Sequence, residues 1–136
     1  MRIIGVTGGV GSGKSAVLNY LEEHFDSRVV KADEVGHLLM MPGRECYEPI
    51  IELFGEWIVK EDTSLDRQAI ASIVFQQPDM LKKLDDIVHP AVYRYIVKEI
   101  ERSRKEETEF FFIEAALLLE EKYDEICDEV WYIYCE

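Results

Sequence analysis

The sequence predicts an α/β fold, a parallel sheet with helices on both faces and a helical insertion that splits the chain. Three observations carry this expectation. A short β-branched run, RIIGV at 2–6, opens the chain and ends in a glycine cluster. An amphipathic stretch and a second apolar run follow at once, giving a strand–helix–strand unit and hence parallel pairing. Two further strand-like runs, EFFFI at 109–113 and EVWYIY at 129–134, come only after a long stretch with helical character.

The elements follow in order. Residues 14–25 (KSAVLNYLEEHF) place Val17, Leu18, Leu21 and Phe25 at helical spacing, so a helix starts inside the glycine loop. Residues 28–32 (RVVKA) read as the second strand. Helices are then expected over 34–41, 45–54, 67–76, 79–88 and 90–107. They break at Pro42-Gly43, Gly55, the polar residues 61–64, Pro78 and Pro90. Pro90 suits a first helical position, with Val92, Tyr95, Ile96 and Ile100 on one face of the helix behind it. A short helical stretch is expected around 117–126, before the fourth strand. The domains are therefore a split nucleotide-binding core, 1–36 with 107–136, and a helical insertion over 37–106. The apolar edge at 129–134 invites self-association.

Composition excludes some function classes. The 28 Asp plus Glu outweigh 15 Lys plus Arg, for a formal net charge of -13, against a general nucleic-acid surface. Cys46, Cys127 and Cys135 are scattered, with no CxxC pair, and read as reduced thiols of a cytoplasmic protein. The apolar N-terminal run is too short for a signal peptide or a membrane span, so no membrane partner is expected.

Gly8, Gly13, Lys14 and Ser15 satisfy G-x-x-x-x-G-K-[ST], with extra glycines at Gly9 and Gly11. Such glycines let successive backbone N–H groups turn toward phosphate oxygens, and the helix behind them adds its N-terminal dipole. The pattern makes the fold a P-loop NTPase type. Gly9, Val10, Gly11, Ser12, Gly13, Lys14, Ser15 and Ala16 are the candidate ATP-binding residues. Lys14 would reach the β- and γ-phosphates, and the Ser15 hydroxyl would ligate Mg²⁺.

Phosphoryl transfer also needs carboxylates near the metal and near the attacking hydroxyl. Asp33 and Glu114 follow the second and third strands, at the carboxyl ends where open α/β sheets bind ligands. Asp33 equally suits a helix N-cap, and both uses can hold together. Glu114, after four apolar residues, resembles a Walker B acid. The DEVG at 33–36 matches the D-x-x-G of GTPases but comes too soon after the loop, and no N-K-x-D motif exists. His89, before Pro90, suits a helix cap. Arg67 and Arg94 lie in helical segments that equally suit a solvated surface, and the residues alone assign them no role.

The order of motifs resembles the dephospho-CoA kinase family. The matching pieces are IIGVTGGVGSGKS at 3–15, ADEVGHLLMMPG at 32–43, FG at 54–55, LDRQAIASIVF at 65–75, L-x-x-I-V-HP at 84–90 and EAALLLE at 114–120. The resemblance implies transfer of the ATP γ-phosphate to the 3′-hydroxyl of dephospho-CoA. It implies Asp33 beside that hydroxyl as base or orienter, Arg67 and His89 as substrate contacts, and the insertion as the substrate-binding subdomain.

Three departures stand out. The family usually has D-A-D where this chain has Lys31-Ala32-Asp33, and D-x-P-L-L-x-E where it has Glu114-Ala115-Ala116-Leu117-Leu118-Leu119-Glu120. Family members also continue through a lid helix with arginines and a final strand, so a further C-terminal part is expected. Two alternatives stay open, another small-molecule P-loop kinase acting on a nucleoside or shikimate-like alcohol, and a nucleotide-binding module without turnover.

Overall fold

The computed structural model describes residues 1–8 and 13–133. Strand β1 spans Arg2–Gly8, helix α1 Lys14–His24 and strand β2 Ser27–Lys31. Helices α2 (Ala32–Leu39), α3 (Tyr47–Phe54), α4 (Arg67–Gln76) and α5 (Pro78–Lys105) follow. Strands β3 (Phe110–Glu114) and β4 (Glu129–Ile133) close the order. The chain divides into two compact units, 1–34 with 95–136, and 35–94.

In the first unit the four strands form one parallel sheet in the order β2-β3-β1-β4. The strand–helix–strand unit therefore yields parallel strands that are not neighbours, because β3 lies between β1 and β2. The register sets Ile4, Phe112 and Val29 in one rung. With Val6 and Leu18 they form a buried cluster, against which Leu21, Phe110, Trp131 and Ile133 pack. Alternation along β1 sends Ile4 and Val6 to that face. On the opposite face a Cβ at Gly5 would lie 2.8 Å from a Leu118 methyl and 3.0 Å from Cys127 Sγ. Only a glycine lets β1 approach these side chains so closely. Burial pushes the Cys127 thiol up to about 11, with Asp124 and Asp128 adding to it.

The second unit buries Leu39, Ile50, Ile58, Ile70 and Val92. Asp66 caps α4 through the Ala69 N–H, at 3.1 Å. Tyr47, in α3, donates its hydroxyl to the Thr63 carbonyl at 2.6 Å.

Three expectations change. Pro90 begins no helix, since α5 runs through it. Proline removes one backbone donor and commonly ends a helix. Here the apolar spacing continues across it, with Ala91, Val92, Ile96 and Ile100 all buried, while Asp86 and Pro90 face solvent. That leaves the carbonyl freed by the proline on the exposed side. His89 consequently sits inside a helix and caps nothing.

The stretch 117–126 forms no α-helix either. Its single turn, Glu121 N–H to the Leu117 carbonyl, ends when Lys122 turns left-handed at φ 63. Tyr123 N–H then bonds the Leu118 carbonyl and Lys122 N–H the Leu119 carbonyl, the two bonds of a Schellman motif. A 3-10 turn at Tyr123–Ile126 follows.

Finally, α2 starts at Ala32, directly from β2, so Asp33 lies in the first helical turn and is no N-cap. Tyr134 and Cys135 lie outside the described residues.

Candidate phosphate site

The site is assembled at the carboxyl ends of β1, β3 and β2. Strand β1 ends at Gly8, and α1 begins after Gly13, whose φ of 82 is the left-handed backbone that glycine adopts without strain. No side chain caps α1, and its first turn holds no acid. The first N–H groups of an α-helix lack internal partners, so this end attracts an anion through its unpaired donors and its dipole. Ser15 and Ala16 are exposed in that turn. Gly9, Val10, Gly11 and Ser12, expected to complete the cradle, lie outside the described residues.

Pairing of β1 with β3 puts Glu114 level with Val6. The Glu114 carboxylate thereby meets the Lys14 ammonium at 2.5 Å, and both side chains are largely buried, at 11% and 16% exposed. Lys14 Nζ also donates to the Gly8 carbonyl at 3.4 Å. Two further bonds fix this junction. Ala115 N–H donates to the Val6 carbonyl at 3.1 Å, and Thr7 Oγ1 donates to the Ala116 carbonyl at 3.3 Å. Thr7 is itself buried. No sequence signal marked Thr7, because its partner lies 109 residues away.

Asp33 stands just past the end of β2, exposed, and its side chain makes no hydrogen bond or ion pair among the described residues. A first-turn carboxylate also favours its helix through the dipole. The structure therefore brings Lys14 and Glu114 into contact and keeps Ser15 and Asp33 accessible in the same unit. Arg67 and His89 belong to the other unit. Arg67 is the exposed first residue of α4. His89 lies on α5 with Nε2 3.5 Å from Asp85 Oδ1. Arg94 is paired with Glu45.

Among the described residues no cluster of three His, Cys, Asp or Glu side chains could hold a metal. One hydroxyl, Ser15, and one carboxylate, Glu114, beside a phosphate cradle suit a cation that takes most ligands from phosphates and water. Mg²⁺ commonly binds that way.

The chain matches the family model for dephospho-CoA kinase over residues 2–136. It is 41% identical over its whole length to the dephospho-CoA kinase of Symbiobacterium thermophilum, of which it covers 56%. It is 35% identical to that of Carboxydothermus hydrogenoformans over 134 residues, 65% of that relative. Among solved structures it resembles TT1252 from Thermus thermophilus, at a TM-score of 0.80 and 32% identity, covering 98% of this chain and 65% of that one. The dephospho-CoA kinase from Campylobacter jejuni shares the fold, at a TM-score of 0.76 and 24% identity over 96% of this chain and 66% of that one. The chain thus spans 56% to 65% of the length of the two curated relatives named.

Proposed function

This chain belongs to the dephospho-CoA kinase family, and we propose that it carries the ATP- and acceptor-binding core of an enzyme that phosphorylates the 3′-hydroxyl of dephospho-CoA. The observation that carries the reading is the Lys14–Glu114 contact at the uncapped start of α1. A lone cation facing a helix N-terminus would hold any anion. A cation opening the helix after β1, with a carboxylate from the adjacent parallel strand β3 at its side, supports a nucleoside triphosphate bound with a metal.

In this reading Lys14 leaves Glu114 for the β- and γ-phosphates, and the N–H groups of the first turn of α1 hold phosphate oxygens. Ser15 and Glu114 would hold Mg²⁺, which when bound neutralises charge on the transferred group. Asp33, exposed and with its carboxylate unpaired among the described residues, orients the acceptor hydroxyl and takes its proton. The hydroxyl oxygen bonds to the γ-phosphorus as the bond to the β–γ bridging oxygen breaks, and ADP leaves. Arg67 and His89 are proposed contacts to the acceptor. The enzyme would work in the cytoplasm, where the free thiols Cys46 and Cys127 stay reduced.

Calorimetric titration with MgATP and an ADP-release assay with and without dephospho-CoA test the proposal. Lys14→Ala should abolish ATP binding. Asp33→Asn should keep it and lower dephospho-CoA-dependent ADP release about 100-fold or more, the usual scale of a general base. No ATP binding by the unaltered chain, or ADP release indifferent to dephospho-CoA, would rule the reading out.

A further inference from the structure

The proposed function uses one lysine at the site, yet the sheet register brings a second to the same place. Lys31 is the last residue of β2 and pairs with Glu114 of β3. Adjacent strands lie about 4.8 Å apart, within the span of a lysine's four-carbon stem. The carboxylate of Glu114 is already taken by Lys14, which also donates to the Gly8 carbonyl at the end of β1. Among the described residues the Lys31 side chain makes no hydrogen bond or ion pair, although the residue is half-buried. It also stands two residues before Asp33, on the side of Glu114 away from β1. A half-buried lysine of this kind packs its stem and leaves its ammonium free to meet an anion that binds beside it.

We propose that Lys31 is a second phosphate-binding cation, contacting the terminal phosphate of the bound nucleotide from the Asp33 side. The assignment rests on the reading of the site as an ATP site and names a residue for it. Lys14 and the start of α1 hold the donor's phosphates from the β1 side. A cation on β2, across Glu114, meets only a group that projects past Glu114 toward Asp33. In a nucleoside triphosphate that group is the γ-phosphate, which ADP lacks.

A different use of an edge lysine is to block pairing of strands between molecules, and β2 is an edge strand. Arg28, exposed on the same strand and paired with Glu99 at 3.6 Å, already puts charge on that edge. A blocking role alone would leave nucleotide affinity unaffected by changes at Lys31.

Calorimetry on the 136-residue chain and its Lys31→Gln and Lys31→Arg variants, each titrated with MgATP and MgADP, tests the assignment. Lys31→Gln should weaken ATP about tenfold while changing ADP less than twofold, and Lys31→Arg should restore most of the ATP affinity. Unchanged ADP binding reports an intact phosphate loop, so a folding defect is not mistaken for the effect. Equal losses for both nucleotides, or no loss for either, overturn the assignment while leaving the ATP-site reading standing. Absence of ATP binding by the unaltered chain overturns both.

Discussion

Replacing Gly5 by alanine probes the packing that holds β1 under the phosphate loop. The new methyl would stand 2.8 Å from a Leu118 methyl, whereas carbon pairs settle at about 3.5 Å or more. Something must therefore yield by about 0.7 Å. Leu118 is 1% exposed and cannot swing into solvent. Cys127 Sγ, 3.0 Å from the same methyl, limits the alternative direction. Overpacking of this kind costs about 1–3 kcal/mol. Leu118→Ala alone should cost about 2–5 kcal/mol, through the cavity it leaves. With both changes the alanine methyl enters that cavity, so the double variant should be more stable than the sum of the single costs implies by about 1 kcal/mol. The assay is urea unfolding of the four proteins in a Trp57→Phe background, where Trp131, packed against Phe112 in this unit, reports. Strict additivity, or a Gly5→Ala variant as stable as its parent, would refute the reasoning.

Three further outcomes are expected. The Arg2 guanidinium, and then the Trp131 N–H, hold the Glu129 carboxyl below its ordinary 4.5, so this contribution is present above pH 4.5 and lost as pH falls through the depressed value. Thermal unfolding against pH should show wild type and Glu129→Gln converging in strong acid, and a gap constant down to the lowest pH would contradict it. The Cys127 thiol, raised from 9.0 to about 11, keeps its stabilising contribution below pH 9 and loses it as pH climbs toward 11. At pH 8 its thiolate fraction is about 100-fold below that of the unfolded chain. Mass-resolved alkylation by iodoacetamide should therefore be slow in native protein, and labelling at the unfolded rate would count against it. Lys122→Gly should raise stability by up to about 1 kcal/mol, because glycine adopts the left-handed turn at φ 63 without steric cost; a loss in chemical denaturation would contradict the strain.

The phosphate loop was legible because its information is local. Glycines, lysine and serine sit within eight positions, Gly8 to Ser15, between an apolar strand and a helix. Asp33 and Glu114 were legible as residues at strand ends, but the contact of Glu114 with Lys14 depends on β3 lying beside β1, a long-range pairing. Thr7 and Asp128 show the limit of reading along the chain. Asp128 Oδ2 accepts from the Ile3 N–H at 2.7 Å across 125 residues, and neither residue type carries a signature for that role. Punctuation misled at Pro90 and around 117–126 for opposite reasons. At Pro90 burial of the flanking apolar positions overrode a local breaker. At 117–126 a favourable local pattern yielded to a Schellman turn that sets Leu118 and Tyr123, each 1% exposed, in the interior.

The strand order has a consequence for how the sheet can form during synthesis. Strands β1 and β2 leave the ribosome before β3, but neither pairs with the other. Each must wait for β3, which begins at Phe110. All of the unit 35–94 emerges in the interval and can complete its own contacts first. Closing so long a loop before any ladder bond forms slows assembly, as in other folds built on distant pairings. The first strand is thus made well before β3 and is fixed only once β3 has been made. Until residue 110 appears, the nascent chain exposes two unpaired apolar strands that a chaperone or a neighbouring nascent chain could engage.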